Sequence, residues 1–89
     1  MKAVYLDCKD INSTECLQKV LKTMLDFPEY YGYNLDALYD MLTEPEFEAE
    51  FHVTNFDALR ENLGKYARAF ERVLEDSAEE NGKFSYYLD

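Results

Sequence analysis

The chain has no tryptophan, three glycines, two prolines, two cysteines and one histidine in 89 residues. Each shortage excludes something. Gly32, Gly64 and Gly82 are scattered, so neither a phosphate-cradling loop nor a dinucleotide fingerprint is present. Cys8 and Cys16 lack CxxC spacing and have no His/Cys cluster beside them, so zinc is not expected. The opening MKAVYLDCKD offers a four-residue apolar run and then charge, which is neither a signal peptide nor a membrane span. No later run approaches the roughly 18 apolar residues a span needs. The two cysteines are therefore expected to be reduced thiols in a cytoplasmic protein. His52 has no Ser or Cys nucleophile near it in sequence, so it reads as a solvent-facing histidine of a strand and the chain is not expected to be an enzyme.

The most informative shortage is local. Between Lys22 and Arg60 there is no Lys or Arg, but there are nine acids: Asp26, Glu29, Asp36, Asp40, Glu44, Glu46, Glu48, Glu50 and Asp57. This base-free segment supplies most of the formal net charge of −10. Such a balance repels phosphate, which argues against nucleic-acid and anionic-membrane partners and favours a basic protein.

What is present suffices for a core. Hydrophobic residues make up 47% of the chain, above the range of disordered sequences, and residues 1–89 are expected to form one domain. Residues 2–6, KAVYL, read as a strand. Asn12 or Ser13 can cap a helix in which Leu17, Val20, Leu21, Met24 and Leu25 share one face, with Pro28 as its stop. PEYYGY (28–33) is a loop in which Gly32 permits a positive φ. Asn34 is placed to cap a second helix over residues 35–43. There Leu35, Leu38 and Leu42 face inward, and Asp36, Tyr39, Asp40 and Thr43 share the opposite face. FEAEFHV (47–53) alternates as a second strand. Thr54 or Asn55 can cap a short helix with Phe56 and Leu59, and Gly64 divides it from a longer one with Tyr66, Ala67, Phe70, Val73 and Leu74 inward. Asn81-Gly82 ends that helix, and FSYYL (84–88) is the last strand. The order β-αα-β-αα-β predicts an α/β fold of two layers, a three-stranded parallel sheet in order 1-2-3 with about four helices on one face.

Several motifs dissolve on inspection. Asp36 and Asp40, four apart, could be a glycosidase pair or metal ligands, but a short exposed helix provides no substrate cleft, and no DxDxDG loop is present. Glu44, Glu46, Glu48 and Glu50 follow from a turn and strand alternation. Asp76-Ser77 matches the attachment dipeptide of acyl carrier proteins, which are all-helical, whereas both ends of this chain read as strands. No cofactor or metal is expected. The tyrosine-rich loop persists. Tyr30, Tyr31, Tyr33 and Tyr39 exceed what packing alone asks for, and tyrosine gives large contact area at little rotamer entropy. Asp36 and Asp40 also repel each other on one helical face. A face unfavourable to its own helix is a candidate for use on a partner.

Residues 28–40, in the pattern PEYYG-x-NLDAL-x-D, resemble the signature of the barstar family, intracellular inhibitors of the ribonuclease barnase. The likeness extends along the chain through KAV near the start, the leucine-rich first helix and the final strand after a long acidic helix. The resemblance implies a one-to-one complex with a basic ribonuclease, bound through the second helix and the loop before it. It implies that Asp40 enters the enzyme's phosphate pocket and that Asp36 pairs with a further basic group. Tyr30 supplies an aromatic contact, Asn34 polar contacts to the enzyme backbone, and Asp76 a rim charge, while Tyr39 and Thr43 flank the acids. The chain departs from the pattern at Tyr39, where barstar has Trp, and at Asp76, one methylene shorter. It departs again at Glu44-Pro45, where barstar has Gly and Trp, so Glu44 marks an edge of different shape. The competing reading is an acidic interaction module that binds another basic protein without inhibiting a ribonuclease.

Overall fold

A computed structural model describes residues 2–89. The elements are β1 (Ala3–Asp7), α1 (Thr14–Met24), α2 (Leu35–Leu42), β2 (Ala49–Thr54), α3 (Phe56–Leu63), α4 (Lys65–Glu80) and β3 (Phe84–Leu88). The strands form one parallel sheet in the order β1-β2-β3, as the helical crossovers between them require.

The sheet is two-sided. Val4 and Leu6 of β1, Ala49, Phe51 and Val53 of β2, and Phe84 of β3 are buried beneath the helices. Leu17 and Leu21 of α1, Leu38 and Leu42 of α2, Leu59 of α3, and Ala67, Phe70 and Leu74 of α4 complete this core. The other face is open. Its central row is set by register, Tyr5 opposite His52 and His52 opposite Tyr87. The three rings stack side by side, with centroids 4.7 and 4.8 Å apart. His52 Nε2 also meets Glu50 Oε2 at 2.7 Å. His52 thus lies on the polar side of its strand, as the alternation predicts.

Local chemistry explains most boundaries. Ser13 caps α1 by accepting from the Cys16 amide, and Asn34 caps α2 by accepting from the Ala37 amide at 2.7 Å. Gly64, at φ 54°, closes α3 and opens α4. Asn81 ends α4 and is buried, its amide donating to the carbonyls of Leu42 (2.8 Å) and Phe47 (3.0 Å). That one side chain ties the end of α4 to the end of α2 and to the approach to β2.

Three local expectations are corrected. The left-handed conformation near the aromatic loop falls on Asp26 and Tyr33, not on Gly32. Gly32 is required for space: a Cβ there would lie 3.2 Å from Asn34 Nδ2 and 3.3 Å from Ala37 Cβ. Asn55 stands at the N-cap of α3 but makes no capping bond; it sits at φ 57° and its amide donates to Asp7 Oδ1 at 2.8 Å. Phe47 precedes the second strand instead of opening it, because its amide is used in a turn bond to the Glu44 carbonyl.

Candidate functional site

The loop from Leu25 to Asn34 is built by dividing its aromatics between two sides. Phe27 and Tyr31 point inward, their rings 4.8 Å apart, and Phe27 also packs on Phe47. Tyr30 and Tyr33 point outward. Tyr30 is 78% exposed and its neighbour Tyr31 only 3%. Of the three tyrosines, one is therefore core, and the edge of Tyr33 packs on it at 5.4 Å.

Burial of Tyr31 brings a polar requirement that the loop alone does not meet. Its hydroxyl donates to Oε1 of Gln18 in α1, and Gln18 Nε2 donates to the Tyr66 hydroxyl of α4 at 2.8 Å. Burial raises the Tyr31 pKa well above the usual tyrosine range, so this hydroxyl remains a donor. Gln18 itself is 1% exposed. A glutamine beside the apolar stripe of α1 reads as a solvent-facing residue, and neither it nor Tyr66 can be identified as a partner of the loop from spacing. The one available clue is that Gln18 adjoins Leu17 on the inward stripe of its helix.

Beyond the loop, Asn34 does two jobs. Its Oδ1 caps α2, and its amide donates to the Gly32 carbonyl at 3.1 Å, closing the turn before the helix. The helix then presents Asp36 and Asp40 exposed, with Tyr39 half-buried between them. Thr43 follows as the C-cap; its hydroxyl donates to the Tyr39 carbonyl at 2.7 Å, and Glu44 is exposed beyond it. Because α2 ends at Leu42, Asp40 lies in the last turn, where the helix dipole is negative and no base offsets it. Among the described residues, Asp36, Asp40, Glu44 and Asp76 form no ion pair. Lys22, the base that precedes this segment in sequence, pairs with Glu29 at 3.5 Å.

Asp76 lies far from these residues in sequence. It is exposed on α4, the helix against which α2 packs and which Asn81 clamps to Leu42. Ser77, next to it, is fully buried with no hydrogen-bond partner for its hydroxyl among the described residues. A carrier-protein prosthetic group cannot be attached to a hydroxyl in that position, which removes the acyl-carrier alternative.

No group of three or more His, Cys, Asp or Glu is arranged to hold a metal among the described residues, and no helix there is long and apolar enough to cross a membrane. Fold and surface together define a small two-layer α/β protein with an acidic, tyrosine-flanked helix on its outside. Comparison with known proteins makes this specific. The chain belongs to the barstar family: the family model described as "Barstar (barnase inhibitor)" matches residues 1–89. It is 38% identical over 81 residues to a protein of Bacillus subtilis (strain 168) named "Putative ribonuclease inhibitor YrdF", an overlap of 90% of this chain and 89% of that protein.

Proposed function

We propose that the protein is a cytoplasmic inhibitor of a basic ribonuclease, acting as one domain in a one-to-one complex through Tyr30, Asn34, Asp36, Tyr39, Asp40, Thr43, Glu44 and Asp76. The observation that carries this reading is the state of α2. In a barstar-family chain, two exposed carboxylates stand four residues apart with no ion-pair partner among the described residues, on a helix capped by Asn34 and clamped by Asn81. Their mutual repulsion and the position of Asp40 at the negative end of the helix both oppose folding. A cationic active site relieves both costs at once.

The mechanism is occlusion. Ribonuclease sites that bind an RNA phosphate present Arg, Lys and His donors, and a carboxylate accepts the same charge-assisted hydrogen bonds. Asp40 takes the phosphate position and Asp36 a neighbouring cation, while Tyr30 covers apolar surface beside them. The surrounding acids raise the encounter rate with a basic enzyme. Tyr39 and the exposed Glu44-Pro45 give the rim its own shape, so the cognate enzyme need not be barnase itself.

The test is RNA cleavage by barnase with increasing amounts of the protein. Loss of activity that completes at one equivalent supports the reading. Full activity in the presence of a large excess overturns it for barnase-type enzymes and leaves the acidic module, directed at another basic protein, as the better account.

A further inference from the structure

The ten residues between α1 and α2 contribute Tyr30 and Asn34 to the proposed binding face, yet their backbone is held only by bonds to near neighbours in sequence. Within residues 25–34 the backbone takes part in bonds from Leu25 amide to Leu21 carbonyl (2.9 Å), Phe27 amide to Lys22 carbonyl (3.0 Å), Tyr31 amide to Pro28 carbonyl (3.0 Å), Leu38 amide to Asn34 carbonyl (3.0 Å) and the Asn34 side-chain amide to Gly32 carbonyl (3.1 Å). All are local. The tie from Lys22 to Glu29 is an ion pair whose carboxylate is fully exposed. Hydrophobic packing of Phe27 and Tyr31 holds the loop down, but packing alone does not set which way a ring turns.

The exception is the polar chain through Gln18. Both ends of its amide are used, Oε1 by Tyr31 of the loop and Nε2 on Tyr66 of α4. The Tyr31 hydroxyl also lies 3.5 Å from the carbonyl of Asn34, the residue that caps α2. Three segments distant in sequence therefore meet at one buried amide. An apolar trio would fill the same space, and replacing both partners of a buried hydrogen bond by apolar groups of equal shape is close to neutral for stability. What the polar version adds is direction, because a satisfied buried network admits one arrangement of its members.

We propose that Gln18 is a positioning residue for partner binding: bridging Tyr31 to Tyr66, it fixes the loop in the conformation that directs Tyr30 outward and sets Asn34 at the head of α2. The proposal rests on the inhibitor reading for its consequence in binding, but not for its consequence in the free protein. Tyr30 and Tyr31 are neighbours, so a Tyr31 held inward by its hydroxyl leaves Tyr30 on the opposite side of the backbone. A loop ordered beforehand avoids the entropic cost of ordering it on association.

The decisive variant is the triple Gln18→Met, Tyr31→Phe, Tyr66→Phe. It keeps volume and removes every hydrogen bond of the bridge. Three measurements apply: urea unfolding, amide hydrogen exchange across residues 29–34 in the free protein, and affinity for barnase. The expected result is an unfolding midpoint close to the parent's, faster exchange in the loop, and affinity lower by about tenfold, the scale of ordering a few side chains. Unchanged exchange overturns the proposal, and so does faster exchange with undiminished affinity, since the bridge would then be core packing only. If the triple variant does not fold, Tyr66→Phe, which leaves the Tyr31–Gln18 bond in place, must move the same readouts in the same direction by a smaller amount, and its failure to do so is equally fatal. A parent protein that does not bind barnase defeats the inhibitor reading, and the exchange comparison still decides whether the bridge orders the loop.

Discussion

Two surfaces of this molecule are aromatic, acidic and exposed, and they differ in one respect. On the open face of the sheet, Tyr5, His52 and Tyr87 stack on one another, Glu50 is paired with His52, and Asp7 accepts from Asn55 and from the Lys9 amide at 2.9 Å. Each group there has a partner within the chain. On the α2 face, among the described residues, Tyr30 projects without a stacking partner and Asp36 and Asp40 form no ion pair. Exposed aromatic rings are therefore a poor guide to a binding surface by themselves. Groups that the fold leaves unsatisfied, at a cost to its own helix, are a better one.

The comparison breaks most easily at Asp40. Asp40→Ala should weaken binding to the ribonuclease by more than about 2 kcal/mol, the general threshold for an interface anchor, of which an aspartate of barstar is itself a standard example. The loss should appear mainly as faster dissociation in surface plasmon resonance. Urea melts of the same variant should show unchanged or slightly higher stability, by a few tenths of a kcal/mol, because Asp36 loses a like-charged neighbour. Glu48→Ala, an exposed acid before β2, is the control and should change affinity by well under about 1 kcal/mol. Equal losses from both substitutions would show that charge alone, and no particular face, governs binding.

Ionic strength offers the next separation. Steering by the base-free segment predicts an association rate that falls about tenfold or more from low to physiological salt, as the screening length contracts to about 8 Å. The dissociation rate should change far less. Stopped-flow association at several salt concentrations distinguishes the two, and a flat association rate would remove the acidic segment from the encounter step.

The sheet face should give the opposite pattern to Asp40. His52→Ala removes two stacked contacts and the partner of Glu50, and should cost about 1 kcal/mol of stability. Affinity for the ribonuclease should remain within about 0.5 kcal/mol of the parent's, as for substitutions away from an interface. A loss of affinity matching that of Asp40→Ala would mean that the two surfaces act together.

The contrast between the surfaces also explains what could be read from the sequence. Ser13, Asn34 and Gly64 mark boundaries because capping and left-handed turns are local requirements, and each stands where a local rule puts it, whereas Asn81 ends α4 in an extended conformation with its amide on the distant carbonyls of Leu42 and Phe47. The outward positions of Tyr5, His52 and Tyr87 follow individually from alternation, but their stacking does not, since it depends on a register set by strands about 35 to 47 residues apart. Gln18 was opaque for the same reason: its partners lie 13 and 48 residues away. Asn55 stands at the N-cap of α3 as its residue type predicts, but two uses compete for its side chain, and the distant carboxylate of Asp7 prevails over its own helix. The lack of ion pairs at Asp36 and Asp40 among the described residues is legible in the sequence because the segment around them holds no base.

The smallest expected effect tests the satisfied side of the comparison. The hydrogen bonds from Asn55 and from the Lys9 amide hold the Asp7 carboxyl below its ordinary range, since both favour the ionised form. A carboxylate whose folded pKa is depressed contributes stability that is fully present above its unfolded value, about 3.9, and is lost as pH falls through the folded value. Unfolding free energy measured from pH 6 down to pH 2 should therefore contain a small fall from Asp7, added to that of the other carboxylates. Asn55→Gly removes the side-chain donor and suits the φ of 57° at that position, so backbone strain does not confound it. Stability of this variant should depend less steeply on pH below about 4, while above pH 6 it stays lower than the parent's by a constant amount. The difference should be modest because Asp7 is exposed and solvent weakens its interactions. Parallel pH curves for parent and variant would show that the Asp7–Asn55 bond adds nothing to the ionised state. The sheet face would then be no better satisfied in charge than the face of α2, and the distinction between the two surfaces would rest on the aromatic stack alone.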